Sequence, residues 1–299
     1  MQNTLLRMIG GLNLVDRAND EWLRLWQNVV PALCLEHDSV LYAQFALSAT
    51  NLLRKNQDDE ALYSARQNYF VLALREQRKA CAEIDAHNAE AVCLTSVIIL
   101  HTSFATMHER LLEQYTPPIE WLKMGRGAGA VMWKAKAAVT PEMPATFKIF
   151  MESYQQVLNE QHIPISLDQP FAAVLSVICE HELDRTARDA HRKTLAYINA
   201  MQRQIDNGDH WSVVSRRLQA FPMVIPTKFI DLVEEQDIGA LVVLAHYFGV
   251  AAQIDSEFWW LKGFHNDRTA VREIQAINTV VAHMSPSIMT WPLVQAGAT

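Results

Sequence analysis

Two stretches of this sequence are long enough for several helical turns and carry almost no polar residue on any face. One is "AEAVCLTSVIILHTSFATM", Ala89 to Met107, and the other is "IGALVVLAHYFGVAA", Ile238 to Ala252. A helix without a polar face must be covered on every side. The second stretch falls short of the roughly twenty residues a membrane span needs and carries His246 at its middle, so it reads as a buried core helix. A chain that encloses two such helices needs others to wrap them. The expectation is an all-α fold: a multi-helix bundle forming a single large domain around these two central helices.

The rest of the sequence agrees. Apolar residues recur three and four apart, and no alternating run is bounded by hairpin turns. In "EALYSARQNYFVLALREQRKACAEI", Leu62, Ala65, Tyr69, Leu72 and Ala73 share one face, with Arg66, Arg75, Arg78 and Lys79 largely away from it. Helix boundaries are expected at Pro117–Pro118, Pro141–Pro144, Pro164–Pro170, Pro222–Pro226 and Pro286. From Phe171 to Asp206 the pattern reads as one long helix or two joined ones. Its charges, Asp184 with Arg188, Arg185 with Asp189 and Asp189 with Lys193, are spaced as a solvated ladder. No linker or repeat divides the chain, so residues 1–299 are read as one domain, and at 299 residues, 50% hydrophobic, it can bury a core without staples.

Charge and cysteine usage narrow the function. A net charge of -7, from 26 basic and 33 acidic residues, gives no basic footprint for a phosphate backbone, so direct nucleic-acid binding by this chain is not expected. Cys34, Cys81, Cys93 and Cys179 form no CxxC pair and suggest neither a zinc site nor a redox motif. The N-terminal stretch is broken by Arg7, Asn13 and Asp16 and offers no signal-peptide core. The reading is an intracellular protein, nuclear or cytoplasmic, with no membrane span, metal or cofactor.

Several constellations invite chemistry. "GRGAGAV", Gly125 to Val131, has the spaced glycines of a phosphate cradle but follows a helical "PPIEWLKM" rather than a strand, so close helix packing or a helix break is expected. "CEHELDRTARDAH" gathers Glu180, His181, Glu182 and His191, but the histidines are too far apart for one metal ion, and a charged surface is expected. His101 and His246 each interrupt an all-round apolar helix. A buried imidazole needs a hydrogen-bond partner, supplied either by the core itself or by a ligand. With Tyr247 they are the candidate catalytic residues, although no nucleophile motif accompanies them. Trp121, Trp133, Trp211, Trp259, Trp260 and Trp291, with Met107, Met124 and Met132, either pack as core or line an apolar cavity.

Four blocks in order resemble one family: "LWQNVVPALCLEHDSVLYAQFALSATNLL", "PPIEWLKMGRGAGAVM", "FPMVIPTKFIDLVEEQDIGALVVLAHYFGVAA" and "FWWLKGFHNDRTAVREI" followed by a closing "WP". They are similar to the C-terminal regulatory domain of fungal-specific transcription factors with a zinc binuclear cluster, of the sterol uptake control type. The resemblance implies a helical domain that holds a hydrophobic ligand (sterol, terpenoid or polyketide-like) in a buried pocket and acts as a sensing element. The matching blocks point to Trp259, Trp260, His246 and Tyr247 at the pocket, and His101, Phe104 and Trp121 complete the expected ligand-binding set. "WWLKG" would close the bundle near the pocket, one indole toward the core and the other toward the pocket or its lid.

Asp38 follows His37 where the family has proline, His265 departs from the family's aromatic context, and no cysteine-rich cluster precedes the domain. On that ground a second reading stays open: a stand-alone relative recruited as a cyclase or isomerase of a hydrophobic natural product in fungal secondary metabolism. Shape and a well-placed histidine or tyrosine would suffice for such a reaction. Whether the chain forms a homodimer is also open.

Overall fold

A computed structural model describes residues 28–144, 147–148, 150–152, 154, 166–181, 184–263, 267–281 and 286–297. Among them the chain is α-helical, with no strand. In chain order the helices are α1 (Val30–Glu36), α2 (Asp38–Leu53), α3 (Glu60–Ala80), α4 (Ala89–Ala105), α5 (Ile119–Ala138), α6 (Phe171–His181), α7 (Arg185–Asp206), α8 (Trp211–Val224), α9 (Thr227–Glu234), α10 (Ile238–Ile254), α11 (Thr269–Val281) and α12 (Pro286–Gln295). A short 3-10 turn, Met107–Glu109, continues α4.

The two all-round apolar segments are the two central helices. All residues of α4 except Ser103 are buried, and from Ala240 to Ala252 every residue of α10 is buried. Helix α4 is wrapped by α2, α3 and α5, and α10 by α7, α11 and α12. The hydroxyls of α4 are satisfied within the core: Ser96 and Thr102 donate to the carbonyls of Val92 and Ile98, and Gln77 of α3 donates to Ser96 Oγ at 2.8 Å. By length and composition Ala89–Glu109 could cross a membrane, but 89% of its apolar window lies inside the fold. That is how a core helix satisfies its uniform apolarity.

The breaks fall largely where the sequence marks them. Asp59, Asp184 and Asp237 cap α3, α7 and α10, accepting from Leu62, Thr186 and Ala240 amides at 2.9, 2.8 and 2.8 Å. Pro118 precedes α5 and Pro226 precedes α9. The Pro222–Pro226 break falls where expected, α8 ending at Val224 and α9 starting at Thr227, with Pro222 itself inside the last turn of α8. The Phe171–Asp206 segment is two helices, and in the charge ladder Asp189 pairs with Arg192 at 2.5 Å and with Lys193 at 2.7 Å.

The glycine-rich block belongs to α5 and serves close packing. A Cβ on Gly125 would stand 2.3 Å from Pro222 Cβ and 2.9 Å from the Pro222 carbonyl carbon, and one on Gly129 would stand 3.0 Å from the Met223 carbonyl oxygen. The absence of side chains lets α5 and α8 touch backbone to backbone. Gly125→Ala is therefore expected to cost about 1–3 kcal/mol by overpacking, whereas Gly127→Ala, whose Cβ would meet nothing within 4 Å, should be neutral or slightly stabilising in the helix. Paired urea melts of the two variants check this.

Two expected surfaces turn out otherwise. Arg66 is 2% exposed and faces inward on α3 with Ala73 and Gln77, because Glu109 of the 3-10 turn receives both its Nη atoms. His191 is fully buried, edge-on to Phe229 at 6.0 Å with Nε2 3.6 Å from Asp237 Oδ1, so it is no part of a charged surface. The side chains of His181 and Glu182 lie outside the described residues.

Candidate functional site

A chain of aromatic rings joins the two central helices. Phe104 of α4 meets Trp121 of α5 edge to face at 5.2 Å, Trp121 meets Tyr247 of α10 at 5.5 Å, and Tyr247 stacks on Phe221 of α8 at 4.0 Å. Each such pair contributes about 0.5–1.5 kcal/mol beyond its buried area. These contacts fix α5 and α8 between α4 and α10.

The double tryptophan sits in the turns after α10, not on a helix. The turn lets both indoles be buried, Trp259 at 6% and Trp260 at 1% exposure. Trp260 faces His101 at 4.8 Å and Phe104 at 5.3 Å, and Trp259 lies 6.1 Å from His101 with the Arg54 guanidinium over its ring at 5.7 Å. Gly263 closes the turn with φ of 66°, and a Cβ there would come within 2.8 Å of the Asp267 carbonyl oxygen. The "WWLKG" glycine is thus a backbone requirement.

Between these rings is a cavity of about 10 Å³, lined by Val97, Leu100, His101, Phe104, Trp121, Tyr154, Gln219, Met223 and Trp260. That is close to the least space that holds one water, far below the roughly 300–1,000 Å³ of a small-molecule site. A ligand of any size must spread the rings. A larger open groove, of about 720 Å³, lies between α6 and α7 with Arg185, Arg188 and Arg192 along it.

Of the sequence-derived candidates, His101, Phe104, Trp121 and Trp260 line the small cavity, and Tyr247 and Trp259 stand one ring away. Tyr247 donates to the Leu218 carbonyl at 3.0 Å, and its burial raises the hydroxyl pKa well above the usual value. His246 does not reach the cavity. It points the other way from α10, parallel to Trp291 at 5.5 Å and beside Phe171 at 5.8 Å, with Nδ1 2.8 Å from the Val242 carbonyl. Sequence reasoning missed Val97, Leu100, Tyr154, Gln219 and Met223. Gln219 and Met223 are one turn apart on α8, a spacing that was legible, but nothing marked that face as the one turned toward α4.

Burial holds both His101 and His246 neutral, lowering each imidazole pKa to about 4, while Gln219 beside His101 and the Val242 carbonyl beside His246 pull weakly the other way. Gln219 is near, yet among the described residues neither its Nε2 nor His101 Nε2 has a hydrogen bond of normal geometry. Unfolded, these rings take up protons near 6.5; folded, only near 4. The folded chain therefore binds fewer protons in between, and the stability is full above about 6.5 and lost as pH falls through about 4. The expected loss is on the order of 3 kcal/mol per ring. His246→Phe should flatten this acid limb, as read from urea midpoints between pH 4 and 7, without altering binding at the cavity.

The class the architecture defines is an all-helical domain whose two buried helices meet through an aromatic cluster holding a neutral histidine. No family model matches the chain. It is 31% identical over 224 residues to the Zn(2)-C6 fungal-type transcription factor afumD of Aspergillus fumigatus, over 75% of this chain and 59% of that protein. Sterol uptake control protein 2 of Saccharomyces cerevisiae is 24% identical over 80% of this chain and 26% of its own length, and that of Candida albicans is 22% identical over 84% and 36%. The chain is homologous to fungal Zn(2)-C6 transcription factors and sterol uptake control proteins, and it spans 59% or less of these relatives.

Proposed function

We propose that this chain, residues 1–299, is the sensing domain of a fungal transcription regulator and binds a hydrophobic small molecule, sterol, terpenoid or polyketide-like, within the aromatic cluster between α4, α5, α8 and the 258–261 turn. The observation that carries this reading is the placement of His101, a buried neutral imidazole, among Phe104, Trp121 and Trp260 around a cavity. Apolar walls with a few placed polar groups are what a small-molecule site needs. The homology supports a regulatory role at an intracellular location, nuclear or cytoplasmic, with DNA contact made by another region than this one.

A regulatory consequence follows from the surroundings. The C-terminal end of α4 runs into the 3-10 turn, and the tryptophan turn runs into α11. Both arrive at one buried junction, where Arg110 pairs with Glu273 at 2.6 Å, Tyr115 donates to the same carboxylate at 3.1 Å, and Arg272 donates to the His108 and Arg110 carbonyls. A ligand that moves Trp260 away from His101 and Phe104 must strain or release these bonds. On this reading occupancy shifts the population from the bonded junction toward a released one.

Native mass spectrometry of the chain expressed in a fungal host, with extraction and chromatography of what it carries, tests the reading. An apolar molecule in stoichiometric amount is the expected result. An empty protein that also gives no thermal shift with sterol, terpenoid and polyketide fractions would refute it.

A further inference from the structure

Helix α5 has a second face, opposite the one on which Trp121, Gly125, Gly129 and Met132 are buried. At about 100° per residue, Lys123, Arg126, Gly127, Ala130, Trp133 and Lys134 fall within about one third of its circumference, and all six are exposed. Trp133, a candidate for core or cavity in the sequence, is 46% exposed, with Lys136 Nζ 5.3 Å from the centre of its ring.

Gly127 differs from its two neighbouring glycines. A Cβ on Gly125 or Gly129 would strike α8, whereas a Cβ on Gly127 would meet nothing within 4 Å. Gly127 therefore serves no packing inside the fold and weakens the helix relative to alanine. The exposed indole likewise forgoes the gain of burial. One covering element, laid along the strip, accounts for both.

Charge says what kind of element. From Trp121 to Pro141 the chain carries four basic residues, Lys123, Arg126, Lys134 and Lys136, and no acidic one, in a protein of net charge -7. Lys123 pairs with Glu234 of α9, while Arg126, Lys134 and Lys136 make no ion pair among the described residues. The face is a basic island on an acidic protein.

We propose that it is a docking surface for an acidic amphipathic helix of a partner protein, with apolar side chains along Gly127, Ala130 and Trp133 and carboxylates against Arg126 and Lys134. The small side chains of Gly127 and Ala130 admit the partner's backbone closely, as Gly125 and Gly129 admit α8 on the other face. Arg126 and Lys134 are eight residues apart, about 12 Å along the axis, so carboxylates two turns apart on the partner meet both. Tryptophan and arginine are the side chains that most often anchor such contacts. A nucleic acid would call for a longer basic track, and a membrane surface for a broad apolar face that Gly127 and Ala130 do not supply. None of these exposed residues lines the cavity at His101, so the surface stands independently of ligand binding there.

Anisotropy of a labelled synthetic peptide titrated with the full chain tests this. The probe is an alanine-based helix with leucines along one face and glutamates two turns apart beside them. Its controls replace the glutamates by glutamine or the leucines by serine. The parent peptide should bind at least about fivefold tighter than either control, and the advantage over the glutamine control should shrink as salt rises. Trp133→Ala and Arg126→Glu should each weaken it about tenfold. Gly127→Gln, which holds the partner off the strip, should weaken it by a similar factor while raising the melting temperature of the chain. The other two variants should melt close to the wild type, because their side chains face solvent.

A glutamine control that binds as well as the parent, full binding by all three variants, or no binding at millimolar peptide would overturn the proposal. Self-association of the chain in sedimentation velocity that Trp133→Ala abolishes would put a second copy on this face instead. Tighter binding to duplex DNA or to phosphatidylserine vesicles than to the peptide, lost in Arg126→Glu, would give the face to those surfaces. Each of these results also overturns the proposal.

Discussion

Replacing Glu109 with alanine should destabilise the fold by about 3–5 kcal/mol, because it leaves a buried arginine charged and unpaired. The Arg66 side chain is 3% exposed, and both its Nη atoms bond the Glu109 carboxylate. The Tyr63 ring lies 4.5 Å beneath the guanidinium. The double variant Arg66→Met with Glu109→Leu removes both charges and fills the space with apolar atoms, so it should recover most of the loss. Urea melts of the single and double variants give the coupling directly. A loss below about 1 kcal/mol in Glu109→Ala would mean that Arg66 reaches water, the ordinary result for an exposed pair.

Trp260→Ala should be about as costly, roughly 3–5 kcal/mol, by transfer and cavity terms together. Trp260 is among the largest fully buried side chains and touches His101, Phe104 and Phe258. Its loss merges the indole volume with the existing cavity and leaves an apolar chamber of the kind that takes up small apolar molecules. Benzene or a short terpene hydrocarbon should therefore raise the melting temperature of the variant more than that of the wild type. No differential rise would mean that the cluster collapses on itself and that the rings are interchangeable packing.

The helical framework could be read from the sequence because its strongest signals are local. Uniform apolarity in Ala89–Met107 and Ile238–Ala252 admits only burial, and the aspartate caps and Pro118 sit next to the helices they start. The glycines of "GRGAGAV" were legible as packing residues, and the Pro222–Pro226 pair as a helix boundary, but nothing in the sequence paired Gly125 with Pro222. Arg66 was placed on the solvent side because its partner is 43 residues away in a 3-10 turn that carries no periodic signal.

The candidate site was legible in its rings and illegible in its polar detail. Phe104, Trp121, Tyr247, Trp259 and Trp260 stand together because large rings in all-helical cores cluster at helix crossings. His101 and His246 look alike in sequence, each alone on an apolar helix, and only the packing separates them: one turns to the cavity, the other to Trp291. Gln219 sits in "SRRLQAFPMV", where a polar residue after two arginines gives no hint of an inward face.

In the proposed binding mode an apolar ligand enters between the two central helices and parts Trp260 from α4. Hydrogen exchange with and without 5α-cholestan-3β-ol or farnesol, whichever binds, measures it most directly. Amides of residues 97–109, 216–224 and 258–263 should change protection on binding, together with the 110–116 and 268–274 segments of the charged junction, while those of 185–193 beside the arginine-lined groove stay as they were. Protection confined to 185–193, or no change at α4 and the tryptophan turn under saturating ligand, would contradict it.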